Sequence, residues 1–153
     1  MSYAISQDGK SWRAVGGPGD LTPGETYSET EPKPSIAQLR DEKWGAIKGE
    51  RDRRKAGGVN LDAKWFHSDD GSRIQQMGLV MMGASIPANL QWKTMDGSFI
   101  TMTQTLATSV FGAVAASDQA VFAVAETHRI AMEASADPAS YDYSTGWPKI
   151  YGE

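Results

Sequence analysis

The stretch from Thr103 to Ser135 constrains this chain more than any other. It is rich in alanine, and Val110, Val114, Ser117, Val121, Val124, His128 and Ala131 recur at intervals of four and three. That interval places them on one face of a helix, as a heptad-like seam. Phe111, Phe122, Ala125 and Met132 make a second apolar side. Begun at Thr103 or Thr105, such a helix extends on the order of 50 Å. A rod of that length exceeds what a small core covers. Either it bends back near Ala116-Ser117-Asp118 or another chain covers the remainder. Ala and Ser on the seam permit close helix contacts, so self-association through this helix is expected.

The other elements must be arranged around that rod within 153 residues, one domain of ordinary size. Forty per cent of residues are apolar and 22% charged, as in globular proteins. No Cys is present, which excludes disulfides, thiolate metal sites and a Cys nucleophile. A reducing cytoplasm fits that usage. The net charge of −4 gives no bulk attraction to nucleic acid. "MSYAISQDGK" lacks the basic start and apolar run of a cleaved signal. The longest apolar-leaning run is read as Met77 to Leu90, too short to span a bilayer, so no membrane insertion is expected.

Residues 1–34 read as a hairpin with an extended arm. Tyr3, Ala4 and Ile5 lead into Asp8-Gly9, a strong turn dipeptide, and Trp12 and Val15 return. "GGPGDLTPGETYSETEPKP" is then expected to be extended or irregular. Two strands alone are marginal in water, so this region needs support. Over 35–58, Ser35 and Gln38 have the spacing of a capping box. Ile36, Leu39, Trp44 and Ile47 follow within an arc of about 140° on one helical face. "RDRRK" suits the negative end of the helix dipole, and Gly57-Gly58 ends it.

Residues 59–136 supply the rest of an α+β core. Val59 to Phe66 reads as one or two short strands, with Asn60 to Ala63 as the turn. A helix over "SDDGSRIQQMGLVMMGAS" is apolar on most sides and is expected to be largely buried. "LQWKTMDGSFITMT" is a hairpin about Asp96-Gly97, with Leu90, Trp92 and Thr94 on one face. The tail, 137–153, holds Tyr141, Tyr143, Trp147 and Tyr151, too many aromatics for a solvated end. They are expected to dock on the domain or on a neighbour. The fold class is therefore α+β: N-terminal hairpin and arm, linker helix, small hairpin/helix core, and a long C-terminal Ala-rich helix.

Chemistry is sparse. His67, Asp69 and Asp70 invite a metal or acid/base reading, but the other His, His128, lies on the long helix. A carboxylate accepting backbone N–H bonds at a helix start explains Asp69 or Asp70 more simply. "GGPGD" lacks the Lys-Ser/Thr of a phosphate loop. No nucleophile elbow or zincin motif occurs. No cofactor, metal or catalytic residue is assigned, and the protein is not expected to be an enzyme. Tyr3, Trp12, Ile36, Trp44, Trp65, Trp92, Phe111, Phe122, Tyr141, Tyr143, Trp147 and Tyr151 are the candidate core or interface anchors.

"KWGAIKGERDRRKAGGV", "KWFHSDDGSRIQQMG", "LQWKTMDGSFITMT" and "VFGAVAASDQAVFAVAETHR" carry a resemblance. From about Trp44 to Glu133 the chain resembles a domain of unknown function common in phages and prophages, often encoded beside tail-fibre genes. "YAISQDGKSWRAV" with "LTPGETYSE" is similar to the N-termini of tail-fibre assembly proteins. The resemblance implies a structural component of a phage tail, fibre- or baseplate-associated, acting by protein–protein docking on tail proteins. A tail-fibre assembly chaperone is the alternative, and a glycan-binding adhesin a third. It also implies residence in the host cytoplasm during assembly and in the virion tail afterwards. The family brings no catalytic residues to carry over.

Overall fold

The structure, a computed structural model, describes residues 1–153. It is mixed α and β. The order is β1 (Ser2–Ile5), β2 (Trp12–Val15), β3 (Thr26–Ser28), α1 (Ile36–Lys55), β4 (Val59–Leu61), β5 (Lys64–Phe66), α2 (Asp70–Met82), β6 (Gln91–Lys93), β7 (Phe99–Thr101) and α3 (Gln104–Ala134).

α3 is the strut. Its N-cap is Thr103, whose side chain accepts from Leu106 N–H at 3.1 Å, and the helix continues unbroken through Ala116-Ser117-Asp118. It neither bends back nor waits wholly uncovered. At its N-terminal end Ala107 packs with Leu79 of α2 and with Met102. In the middle Val110 and Val114 pack with Val59 and Phe66 of the β4–β5 hairpin. Towards the C-terminal end Val121, Ala125 and Met132 pack with Ile47 of α1 and Trp147 of the tail.

The buried stripe of α3 differs in period from the expected seam. Ala107, Val110, Val114, Val121, Ala125, His128 and Met132 are buried, Ser117 and Val124 are half-buried, and Ala131 is exposed. The stripe therefore advances by about 3.6 residues, the period of a straight helix. A strict 3.5 repeat suits a supercoiling partner, and the residues of α3 that are buried here pack against α1, α2 and the β4–β5 hairpin. By length and composition α3 is also the segment apolar enough to cross a membrane, which corrects the reading of Met77–Leu90 as the longest apolar run.

α1 starts at the capping box as expected. Ser35 Oγ accepts from Gln38 N–H at 3.2 Å, and Gln38 Oε1 accepts from Ser35 N–H at 2.7 Å. Ile47 is fully buried and Trp44 half-buried, but Ile36 is exposed. Ile36 lies in the first turn of α1, outside the core cluster that Ile47 joins. At the other end Gly57 and Gly58 do more than stop the helix. A Cβ on Gly57 would overlap Ile150, and one on Gly58, at φ +93°, would overlap Met95.

β4 and β5 are joined by a two-residue turn at Asp62-Ala63, with φ of +50° and +63°. Asn60 and Leu61 thus belong to the strand, not to the turn. Positive φ at both central residues matches the right-handed twist of a hairpin.

The N-terminal region contains a strand that the Gly/Pro-rich composition hid. Thr26–Ser28 pairs antiparallel with β1, giving a sheet ordered β2-β1-β3. Arg13 donates to both carboxylate oxygens of Glu25, at 2.9 and 2.7 Å, across that sheet. "GGPGD" is a turn closed by its own acid: Asp20 Oδ2 accepts from Gly16 N–H at 2.9 Å and Gly17 N–H at 3.2 Å. Ala4 is the one buried residue of this sheet. A single hydrogen bond, Gln38 Nε2–H to Gly9 O at 3.1 Å, joins it to the helical body.

Candidate docking surface

The span Asp62 to Gly78 turns a strand into a helix. Asp69 is the N-cap of α2, accepting from Ser72 N–H at 3.0 Å and Ser72 Oγ–H at 2.7 Å. Those bonds hold its carboxyl below the ordinary range. No group of three or more His, Asp or Glu side chains is placed to hold a metal. His128 is buried on α3 and binds the tail: Nδ1 meets Tyr141 Oη at 2.9 Å and Nε2 meets Thr145 O at 2.8 Å. A carbonyl only accepts, so Nε2 carries the proton donated to Thr145.

The tail aromatics dock on their own domain. Trp147 is buried beside Ile47, Val121, Ala125 and Met132, and its Nε1–H donates to Tyr143 O at 2.7 Å. Tyr141 and Tyr143 pack at the edge of that cluster. Tyr151 N–H donates to Gly57 O at 2.9 Å, and its exposed ring meets Trp65 edge-on at 6.1 Å. Of the other anchors, Tyr3, Trp12, Trp65 and Trp92 are half-buried, and Phe111 and Phe122 are exposed on α3. Arg51 lies over the Phe122 ring at 4.9 Å.

α2 corrects the expectation of a largely buried helix. Its inward stripe is Gln76 and Leu79, whereas Ile74, Met77, Met81 and Met82 face solvent, with Met81 81% exposed. At 100° per residue the exposed set spans an arc of about 140°, opposite the inward stripe. α3 and the two hairpins present only a narrow seat, so the apolar residues on the other side of α2 are left out. Gln76 is buried there, its Nε2–H donating to His67 O at 2.7 Å.

What holds α2 in that orientation was not legible from apolar periodicity. Arg73, half-buried, donates to both carboxylate oxygens of Asp118 on α3 at 2.6 and 2.8 Å. It also donates to Lys55 O at 2.9 Å and to Ser68 O. One guanidinium thus ties the end of α1, the β5–α2 joint and the middle of α3. The only hint in the sequence was Asp118, the one acid in the Ala/Val-rich first two-thirds of α3.

The exposed stripe is continuous with two hollows. On one side Ile74, Met77 and Phe111 line a shallow depression. On the other, a groove of about 820 Å³ runs between α2 and the β6–β7 hairpin. Leu79, Met82, Leu90, Trp92 and Phe99 supply its apolar walls, with His67 and Lys93 also lining it. The hairpin is stiffened at its turn, where Asp96 accepts from Ser98 and Thr94 hydroxyls, both at 2.6 Å, and from Lys64 at 3.1 Å. These donors hold the Asp96 carboxyl well below the usual carboxylate range.

These elements define an α+β domain built on one long helix, with a solvent-facing apolar surface on α2. Residues 38–145 match the model of a domain of unknown function, DUF4376, and the chain belongs to that family. No curated protein and no solved structure matches the chain.

Proposed function

We propose that this protein is a structural component of a bacteriophage or phage-derived tail, associated with the fibre or baseplate, and that it acts by docking on other tail proteins rather than by catalysis. The observation that carries docking is the uncovered stripe of Ile74, Met77, Met81 and Met82, continuous with Phe111 and Phe99. Contiguous apolar surface of this kind marks interaction sites. The tail assignment rests on the resemblance of its motifs to a phage domain. The loosely tethered N-terminal sheet suits a second attachment point, joined to the body by one hydrogen bond.

An assembly chaperone for the fibre is the second reading. Methionine-rich surfaces adapt to varied apolar partners, which favours a transient holder. Quantitative mass spectrometry of purified virions separates the two. Peptides at fixed stoichiometry support the structural role, and their absence from virions but presence in fibre-assembly intermediates supports the chaperone. Deleting residues 1–32 is expected to leave a folded domain that no longer enters particles. Normal incorporation of that variant removes the N-terminal sheet from the docking role.

A further inference from the structure

We propose that the outer edge of β6 is a strand-addition site, taking an extended apolar peptide segment that carries a carboxylate. The proposal rests on the docking reading and names the chemistry of the partner.

The backbone alternation of the hairpin sets which groups are free. Thr94 N–H donates to Ser98 O at 2.9 Å and Met102 N–H donates to Leu90 O at 2.8 Å. The Leu90 carbonyl and the backbone groups of Trp92 and Thr94 therefore turn towards β7, the Leu90 N–H donating instead to Pro87 O at 3.1 Å. In an antiparallel pair the intervening residues, Gln91 and Lys93, turn theirs away. Met95, next in that outward series, donates its N–H to Trp65 O of β5 at 2.9 Å. β5 thus begins to pair along the outer edge of β6. The chain then leaves that track at His67 to start α2, and neither Gln91 nor Lys93 gains a backbone partner there.

The space that remains is the groove. Four consecutive residues of the hairpin, Leu90 to Lys93, line it from both faces of the strand, so it follows the strand edge. Its opposite wall is α2, where Leu79 and Met82 are apolar. An open edge beside apolar pockets binds extended peptides through main-chain bonds, with alternate side chains entering the pockets. Charge selects the peptide further. The lining contains no Asp or Glu, and Lys93 makes no ion pair or side-chain hydrogen bond, whereas the nearby Lys64 is already engaged by Asp96 at 3.1 Å. A carboxylate on the incoming strand pairs with the exposed, otherwise uncommitted ammonium of Lys93.

The test is titration of the full, 15N-labelled chain with the peptide Ac-Val-Thr-Val-Thr-Val-Glu-NH2, followed by amide resonances. The expected result is saturable movement of the Gln91 and Lys93 amides. Alternate N-methylation of the peptide, which removes edge donors, is expected to weaken binding about tenfold or more. Replacing the peptide's Glu by Lys weakens binding to the native chain, and Lys93→Glu reverses that preference. Gly78 lines the groove and has no heavy atom within 4 Å of a Cβ built on it. Gly78→Leu is therefore expected to abolish binding while the chain stays folded, with an unfolding midpoint no lower than the native one, because Leu favours the helix over Gly. No response up to about 1 mM peptide overturns the proposal. So does binding indifferent to N-methylation, preference for an amphipathic helical peptide, or closure of the edge by a second copy of the chain. Each of those results leaves the virion measurement unaffected, and absence from virions leaves this site unaffected.

Discussion

Arg73 and Asp118 carry more of this fold than their number suggests. Their side chains are 18% and 25% exposed, so the pair is sheltered from solvent. Removing one partner strands a charge among groups that cannot replace it. Asp118→Asn is expected to cost about 2–3 kcal/mol in urea unfolding. Ala63 sits at φ +63° without a polar side chain to favour that conformation. Ala63→Gly is expected to stabilise the chain by about 1 kcal/mol, read as a raised denaturant midpoint. Glu50 is held down from 4.5 to about 2, first by its hydrogen bonds to Arg53 and then by Arg54. A depressed carboxyl stabilises the fold above its unfolded value and loses that contribution as pH falls through its folded one. Stability should therefore fall between about pH 4.5 and about 2, and Glu50→Gln should flatten that limb of the pH profile.

At the scale of elements, α2 shows how a helix with apolar residues on most sides is divided. The seat available on α3 accepts Leu79 and Gln76 and leaves the methionines outside. Leu79→Ala is expected to cost about 2–4 kcal/mol in chemical denaturation, because it opens a hole beside Met102 and Ala107. Met81→Glu, on the opposite stripe, is expected to change stability by less than about 0.5 kcal/mol. The same substitution should reduce self-association or partner capture by analytical ultracentrifugation. α3 makes the related point about period. A stripe advancing by about 3.6 residues suits packing by several separate elements, and the 3.5 spacing expected of a coiled coil survives only in part.

The whole molecule is a body with one detachable end and one integral end. The N-terminal sheet buries only Ala4 and holds to α1 by one hydrogen bond. Residues 35–153 retain the Ser35 cap and all three core clusters, so their thermal unfolding is expected to match that of the full chain. The C-terminal tail is different in kind. Trp147 completes the core between α1 and α3, and His128 anchors the segment through both ring nitrogens. Deleting residues 137–153 uncovers Ile47, Val121 and Met132, and should convert a cooperative melt into a broad one with dye-detectable apolar surface.

Local chemistry was decisive where neighbours in the sequence supply both halves of an interaction. The capping box at Ser35 and Gln38, the Asp69 cap, the Asp96-Gly97 hairpin and the long α3 all follow from residues within a few positions of one another. The apolar content of α2 and the aromatics of the tail were equally plain. Which side of α2 faces inward was not, because that depends on Arg73 finding Asp118 forty-five positions away. Nor was the third strand of the N-terminal sheet, which exists through pairing with β1 rather than through its own composition. The open edge of β6 belongs to the same class. Its residues define a strand, but whether a neighbour covers that strand depends on where β5 leaves it, and non-local packing alone decides that.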